Sequence, residues 1–464
     1  MIPTDLVVIL PGIMGSQLRQ DGHLVWGPSA GVALRAIATF GRSVRRLQLP
    51  DGIGDDHPCD GVEPAGIMPD LHLMPGIWTP IEGYDVLLQR LRSLGYRDVN
   101  LDAGAPAGNL LPLGYDWRLS NQWTGQWIGS KVEPALEQWR AQGGPYADAR
   151  LIFVCHSMGG LAARWYIERC GGAAITRKLI TFGTPYRGAA KALEQLVNGV
   201  HKGLGPLAID LTSFARSLPS LYQLLPEYAC IERGDDLAKT TEIAVPELDT
   251  AMTAAAMRFH TQLQDAETAR PESLNATHAI VGFRQPTATT VNIRNGQVLP
   301  LDTYRGNDLA GDATVPLVGA CRVDVPLDGP SLHRVPDKHG NLQRNRAALD
   351  ELEGILTASP VQVRTAGMIE AAVDLPELLL AGEPLPISVS LAGPHRAAAL
   401  ITVTDESGHP VAARGVTPPV TTSIAGLAPG VYTVEVTGLG TSSAVSPVSS
   451  TVLIWPTREY ANGA

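Results

Sequence analysis

The sequence predicts an α/β protein with a mostly parallel sheet flanked by helices, followed by a smaller all-β sandwich. Three observations predict it. Short aliphatic runs such as Leu6–Leu10 and Leu151–Val154 lead into turns of small residues, as strands buried on both faces do. Strand and helix patterns alternate from residue 84 to 182, which indicates crossover connections between parallel strands. After Ser359-Pro360 helical spacing stops, and short β-branched segments separated by Gly/Pro turns take over.

At 464 residues the chain is long enough for two domains, read here as 1–358 and 359–464. A net charge of −10 leaves no basic excess to neutralise phosphates, so nucleic acid is excluded as a partner. No apolar run reaches membrane-spanning length, and the N-terminus has neither a basic leader nor a cleavage site, which predicts a cytoplasmic protein. Peripheral association with a membrane stays compatible with that. The five cysteines (Cys59, Cys155, Cys170, Cys230, Cys321) are scattered, with no C-x-x-C spacing. They read as reduced thiols rather than a zinc site or a disulfide frame.

The first strand, Leu6–Leu10, runs into Pro11-Gly-Ile-Met-Gly15-Ser-Gln-Leu18. A glycine-bearing loop after an early strand can present backbone N–H groups to a developing oxyanion. It matches neither phosphate-loop fingerprint. Residues 30–48 are amphipathic and arginine-rich, which fits an ordinary surface helix or one that docks on anionic lipid. Residues 50–80 read as loop. Tyr84, Leu87, Leu88, Leu91 and Leu94 recur at helical spacing with Gly95 behind them, and another helix is expected at 126–142.

Leu151–Val154 then ends in Cys155-His-Ser157-Met-Gly159-Gly160, and a helical stretch follows at once. Strand, sharp turn with serine at its tip, helix is a nucleophile elbow, the mark of an α/β-hydrolase. Cys155 stands where the usual pattern has its first glycine. The bland alternative, a Ser-Gly turn without chemistry, is set aside only if partners occur in the order serine, acid, histidine at strand ends. Lys178–Phe182 is the next strand. Residues 189–250 interrupt the alternation, a position suited to a lid over the mouth of the site.

The sheet resumes at His278–Phe283, with a hairpin around Asn295-Gly296 and a last strand expected near Cys321–Val325. Asp312 follows the hairpin unit and is read as the acid, with Asp302 and Asp308 behind it. His339 precedes a terminal helix expected at about 341–356 and is read as the base ahead of His333. His156 reads as a packing or hydrogen-bonding residue. The chemistry these residues suit is attack by a serine whose proton goes to a histidine oriented by a carboxylate, and it requires no metal or organic cofactor.

Five stretches together resemble the lecithin:cholesterol acyltransferase family, which includes lysosomal phospholipases and phospholipid:diacylglycerol acyltransferases. They are Pro11–Leu18, Gly114-Tyr-Asp-Trp-Arg118, His156-Ser-Met-Gly159, Phe182-Gly-Thr-Pro185 and Asp312-Ala-Thr-Val-Pro316, with the late histidine after them. The resemblance covers residue 5 to about 356 and leaves the C-terminal sandwich (Ig-like in pattern) outside it. It implies Ser157 as nucleophile, Asp312 as acid, His339 as base, and the N–H groups of Ile13 and Met158 as the oxyanion hole. Tyr115–Arg118 is implied to brace the active-site loops. The implied substrate is a lipid ester, phospholipid or acylglycerol, whose acyl group passes to water or to an alcohol. A soluble small-ester or thioester hydrolase is the alternative, and an inert binding protein the one from another class. The secreted members' early disulfide cannot form, because Cys59 is the only cysteine before Cys155.

Overall fold

The computed structural model describes residues 3–27, 46–69, 83–100, 107–202, 209–270, 276–327, 332–357, 369–393, 397–440 and 445–456. The amphipathic stretch at 30–48 lies outside these but for its last three residues, and so does the junction at 358–368.

Among the described residues, the central sheet has six strands: β1 (Leu6–Leu10), β2 (Leu110–Pro112), β3 (Leu151–His156), β4 (Thr176–Phe182), β5 (Ala276–Gly282) and β6 (Leu332–Val335). They lie in the order β6-β5-β4-β3-β1-β2, and every neighbouring pair is parallel. Every residue of β1 and β3 is buried. Covered on both faces, such strands carry unbroken apolar runs rather than alternation, which is why the sequence announced them.

The helices pack their periodic faces onto this sheet. In α1 (Asp85–Ser93) the buried residues are Leu87, Leu88 and Leu91, each worth about 1.5–3 kcal/mol when fully removed from water. The helix α2 (Asn121–Arg140) starts earlier than its periodicity suggested, because the Ser120 hydroxyl accepts the Trp123 N–H at 3.2 Å and caps its first turn. From the end of β3 springs α3 (Gly159–Arg169), almost entirely buried.

Two expectations are corrected. Residues 50–80 are not all loop: Val62–Ile67 is a strand, paired antiparallel to Ser16–Gln20 despite Pro64 and Gly66. Tertiary pairing overrides local preference there. The last sheet strand is β6, not Cys321–Val325. The apolar alternation at 321–325 does not join the sheet: Cys321 is buried, but Val323 between it and half-buried Val325 is exposed, and Arg322 pairs with Asp324 at 2.8 Å. His333, the second histidine candidate, sits within β6 itself. The 189–250 stretch contains helices at Ala190–Asn198, Thr212–Arg216 and Pro219–Tyr222, and Phe214, Leu218, Leu221 and Leu224 are buried in the main core. The hairpin Thr290–Arg294/Gln297–Leu301 forms around Asn295-Gly296 as its turn residues dictate.

The C-terminal part has a core of its own. One sheet joins Ala371–Asp374, Leu385–Leu391 and Val420–Ile424. The other joins Leu378–Leu380, Val448–Trp455, Gly430–Gly438, Ala399–Asp405 and Pro410–Val416. Alternate residues such as Ile387, Val389, Ile401, Val403, Val434 and Val436 point between them and are buried, the period of two expected of a sandwich.

Candidate active site

Ser157 stands at the tip of the turn between β3 and α3 with φ of 52°, a left-handed backbone uncommon outside glycine. The surrounding structure holds it there. Its N–H donates to Phe182 O at 2.8 Å, and its carbonyl accepts the Thr184 hydroxyl at 2.8 Å and the Gly160 N–H at 3.0 Å. This local strain lifts the hydroxyl off the sheet edge, where a side chain in regular structure would not reach.

The structure brings His339 and Asp312 to it. His339 Nε2 lies 2.8 Å from Ser157 Oγ, and His339 Nδ1 lies 2.8 Å from Asp312 Oδ2. The other carboxylate oxygen, Oδ1, accepts the N–H groups of Thr314 at 3.0 Å and Val315 at 2.6 Å. An ionised carboxylate only accepts, so Nδ1 carries the imidazole proton and Nε2 is left to receive one from the serine. All three residues are buried. The structure does not bring the other sequence candidates there. His333 Nδ1 pairs with Glu351 at 2.5 Å, Asp302 is exposed just past the strand Gln297–Leu301, and Asp308 is exposed on a two-residue strand.

The loop Pro11–Gly15 crosses directly above the serine. A Cβ on Gly12 would lie 2.9 Å from Ser157 Cβ, and Gly159 brings α3 so close that its Cβ would meet Pro11 O at 2.4 Å. Ile13 and Met158, whose N–H groups are the oxyanion candidates, therefore belong to two segments in contact at the nucleophile. The Gly114–Arg118 stretch braces that loop. Tyr115 Oη donates to Pro11 O at 2.9 Å, Ser16 Oγ accepts the Tyr115 N–H at 2.9 Å, and Trp117 Nε1 donates to Ser16 O at 3.2 Å. Arg118 is buried and held by Asp116 and Asp60, each at 2.7 Å. A guanidinium out of water requires such pairing.

Two contributors were named in the sequence without a role at this site. Gly183 has φ of 57°, and a Cβ there would fall 3.0 Å from both Asp312 Oδ2 and His339 Nδ1, so the histidine–acid pair needs its absence. Tyr84 is the other. Its hydroxyl accepts the Gly12 N–H at 2.9 Å and lies 2.9 Å from His156 Nδ1, while His156 Nε2 lies 3.0 Å from His339 O. A carbonyl only accepts, so His156 carries its proton on Nε2 and Tyr84 donates to Nδ1. The chain of bonds ties the loop above the serine to the backbone of His339.

Burial, reinforced by the nearby His339, pushes His156 down to about 3, so it stays neutral at physiological pH. Buried His260 is pushed down to about 4 in the same way. Between pH 6.5 and these values the unfolded chain takes up protons that the folded chain refuses. Stability therefore falls as pH drops through that window, by at most about 1.4 kcal/mol per pH unit for each histidine. Asp337, raised by burial to about 6, opposes this between its unfolded value and pH 6, as do Glu168 and Glu194, also raised by burial, while His278, pushed down to about 4, joins the two histidines. Urea unfolding near pH 5 should show a lower midpoint than near pH 7. Equal midpoints would mean that the buried histidines do not outweigh the buried carboxyls in that window.

The lecithin:cholesterol acyltransferase family model matches residues 79–286. An uncharacterized protein of Saccharomyces cerevisiae is 28% identical over 181 residues, which is 39% of this chain but only 23% of that protein. Among solved structures, a Bacillus licheniformis lipase in its mature form aligns with 76% of this chain and 92% of its own, at 11% identity and a TM-score of 0.35. Its propeptide form aligns with 97% and 93%, at 10% identity and a TM-score of 0.36. Over residues 79–286, and in the six-stranded parallel sheet those residues help build, this chain is lecithin:cholesterol acyltransferase-like.

Proposed function

We propose that the protein transfers acyl groups from lipid esters through an acyl-serine intermediate. The observation that carries this reading is the unbroken row from Ser157 Oγ through His339 to Asp312 Oδ2, each link 2.8 Å. Ser157 Oγ attacks the ester carbonyl while His339 Nε2 takes its proton, and the Asp312 carboxylate stabilises the imidazolium. The N–H groups of Ile13 and Met158 receive the oxyanion. One such donor is typically worth about 3–4 kcal/mol of transition-state stabilisation. His339 then returns the proton to the leaving alcohol, and water or a second alcohol, deprotonated by the same nitrogen, releases the acyl group. The family similarity supports the broad class of ester hydrolase or acyltransferase and a lipid as substrate. In this reading the 189–250 insertion covers the mouth of the site, fixed by bonds such as Ser220 Oγ to Arg118 O at 3.2 Å. No helix among the described residues is long and apolar enough to cross a membrane.

Acyl release from phosphatidylcholine vesicles and from a soluble short-chain ester tests this, with Ser157→Ala alongside. Ser157-dependent release from vesicles is the expected result, and transfer to added long-chain alcohol separates acyltransferase from hydrolase. Release from the soluble ester alone would replace the lipid substrate with a small one.

A further inference from the structure

The C-terminal sandwich takes no part in that chemistry, yet it grips both loops that carry it. Asn341, two residues past His339, is buried and donates from Nδ2 to Ser449 O at 2.6 Å and to Ser449 Oγ at 2.8 Å. Lys338, just before His339, reaches Ser450 Oγ with its Nζ at 2.9 Å. Both serines lie on the strand Val448–Trp455, so the histidine is bracketed by bonds to one strand of the sandwich. Asp337 fills the space between. It is buried and accepts the Lys338 N–H at 2.8 Å, Asn345 Nδ2 at 2.7 Å and, at 3.4 Å, the Ser449 N–H.

The acid is held in the same manner. Gln285 is fully buried, and its N–H donates to Gly311 O at 2.9 Å, in bridges that pair it with Gly311 and Asp312. Its side-chain oxygen accepts the Val373 N–H at 3.4 Å, from the sandwich strand Ala371–Asp374.

These loops have little regular structure to fix them. His339 opens a three-residue 3-10 turn, and Asp312 precedes another at Leu317–Gly319. Their positions are set by what they are tied to. A hydrogen-bonded row of three side chains tolerates little displacement, so whatever holds those loops sets the geometry of attack.

We propose that the sandwich is a positioning element of the active site, holding the His339 loop through Lys338 and Asn341 and the Asp312 loop through Gln285. The inference rests on the acyl-transfer reading for the roles of Ser157, His339 and Asp312. Lys338, Asn341 and Gln285 act through those residues and touch no substrate.

The test is the full-length double variant Lys338→Met, Asn341→Ala, assayed on a short-chain ester. The expected kcat is about 10²-fold lower with KM little changed. The downfield proton signal of a histidine Nδ1–H bound to carboxylate should broaden or vanish. Glu370→Ala, which breaks the exposed Arg284–Glu370 pair across the same interface, should leave both readouts at the wild-type level. A folded double variant with wild-type kcat and signal, or an equal loss in Glu370→Ala, would overturn the proposal. Should the double variant not fold, Ser449→Ala with Ser450→Ala removes the two hydroxyl bonds from the sandwich side while sparing the Asn341 bond to Ser449 O; a smaller loss of kcat with a broadened signal is then expected, and no change in either would overturn the proposal. A wild type lacking Ser157-dependent turnover would count against acyl transfer alone, because the proton signal needs no substrate and still decides the anchoring.

Discussion

Ser157→Ala should abolish ester turnover, with a loss on the order of 10⁶-fold in kcat. Among the described residues no other hydroxyl lies on His339 Nε2 to take over as nucleophile. The fold should survive the change. Alanine keeps the Cβ that Gly12 already accommodates, and the elbow's bonds to Phe182, Thr184 and Gly160 all use the backbone of residue 157. A fluorophosphonate probe should label the wild type at Ser157 and leave the variant unlabelled. Turnover by the variant at the wild-type rate would remove Ser157 from the mechanism.

Asp312→Asn should cost about 10⁴-fold in kcat while leaving the architecture in place, for a reason of hydrogen-bond direction. The backbone N–H groups of Thr314 and Val315 both point at Oδ1. An asparagine must place its carbonyl oxygen there, because an amide NH2 would face two donors. Its NH2 group then faces His339 Nδ1 and turns that nitrogen into an acceptor. The ring proton moves to Nε2, opposite a serine that needs a proton acceptor. Crystal or NMR data on the variant should find the loop unmoved and the tautomer inverted. Near-normal kcat with an inverted tautomer would mean that Nε2 is not the base.

Much of this site is local in its chemistry and was therefore legible. The strand before Ser157 is apolar because both its faces are covered, and the small residues after it are required by a helix that starts against Pro11. The placing of Asp312 and His339 followed from one rule of parallel sheets, that functional groups gather where strands end. The family model, matching 79–286, includes Ser157 but neither of its partners nor Ile13. Those residues are joined to it through the fold.

Other features left no such mark. Pro64 and Gly66 disguise a strand that exists because Ser16–Gln20 lies beside it, and the alternation at 321–325 imitates a strand that has no sheet to join. Tyr84 read as one more apolar position on a helical face, yet its hydroxyl meets a histidine 72 residues away. Asn341 carried no signal at all, since its partner Ser449 is 108 residues distant in a separately cored sandwich.

By itself the sequence determined the strands buried on both faces, the elbow, the change of architecture after residue 359 and the order of the candidate site residues. Each of these is written in periodicity, turn chemistry or spacing along the chain. The tertiary structure alone decided which ring nitrogen holds the proton, what ties the loop above the serine to the histidine, and what keeps the two partner loops in place. Those depend on hydrogen bonds between residues tens to hundreds of positions apart, and such bonds impose direction and distance without leaving any periodic trace in the chain.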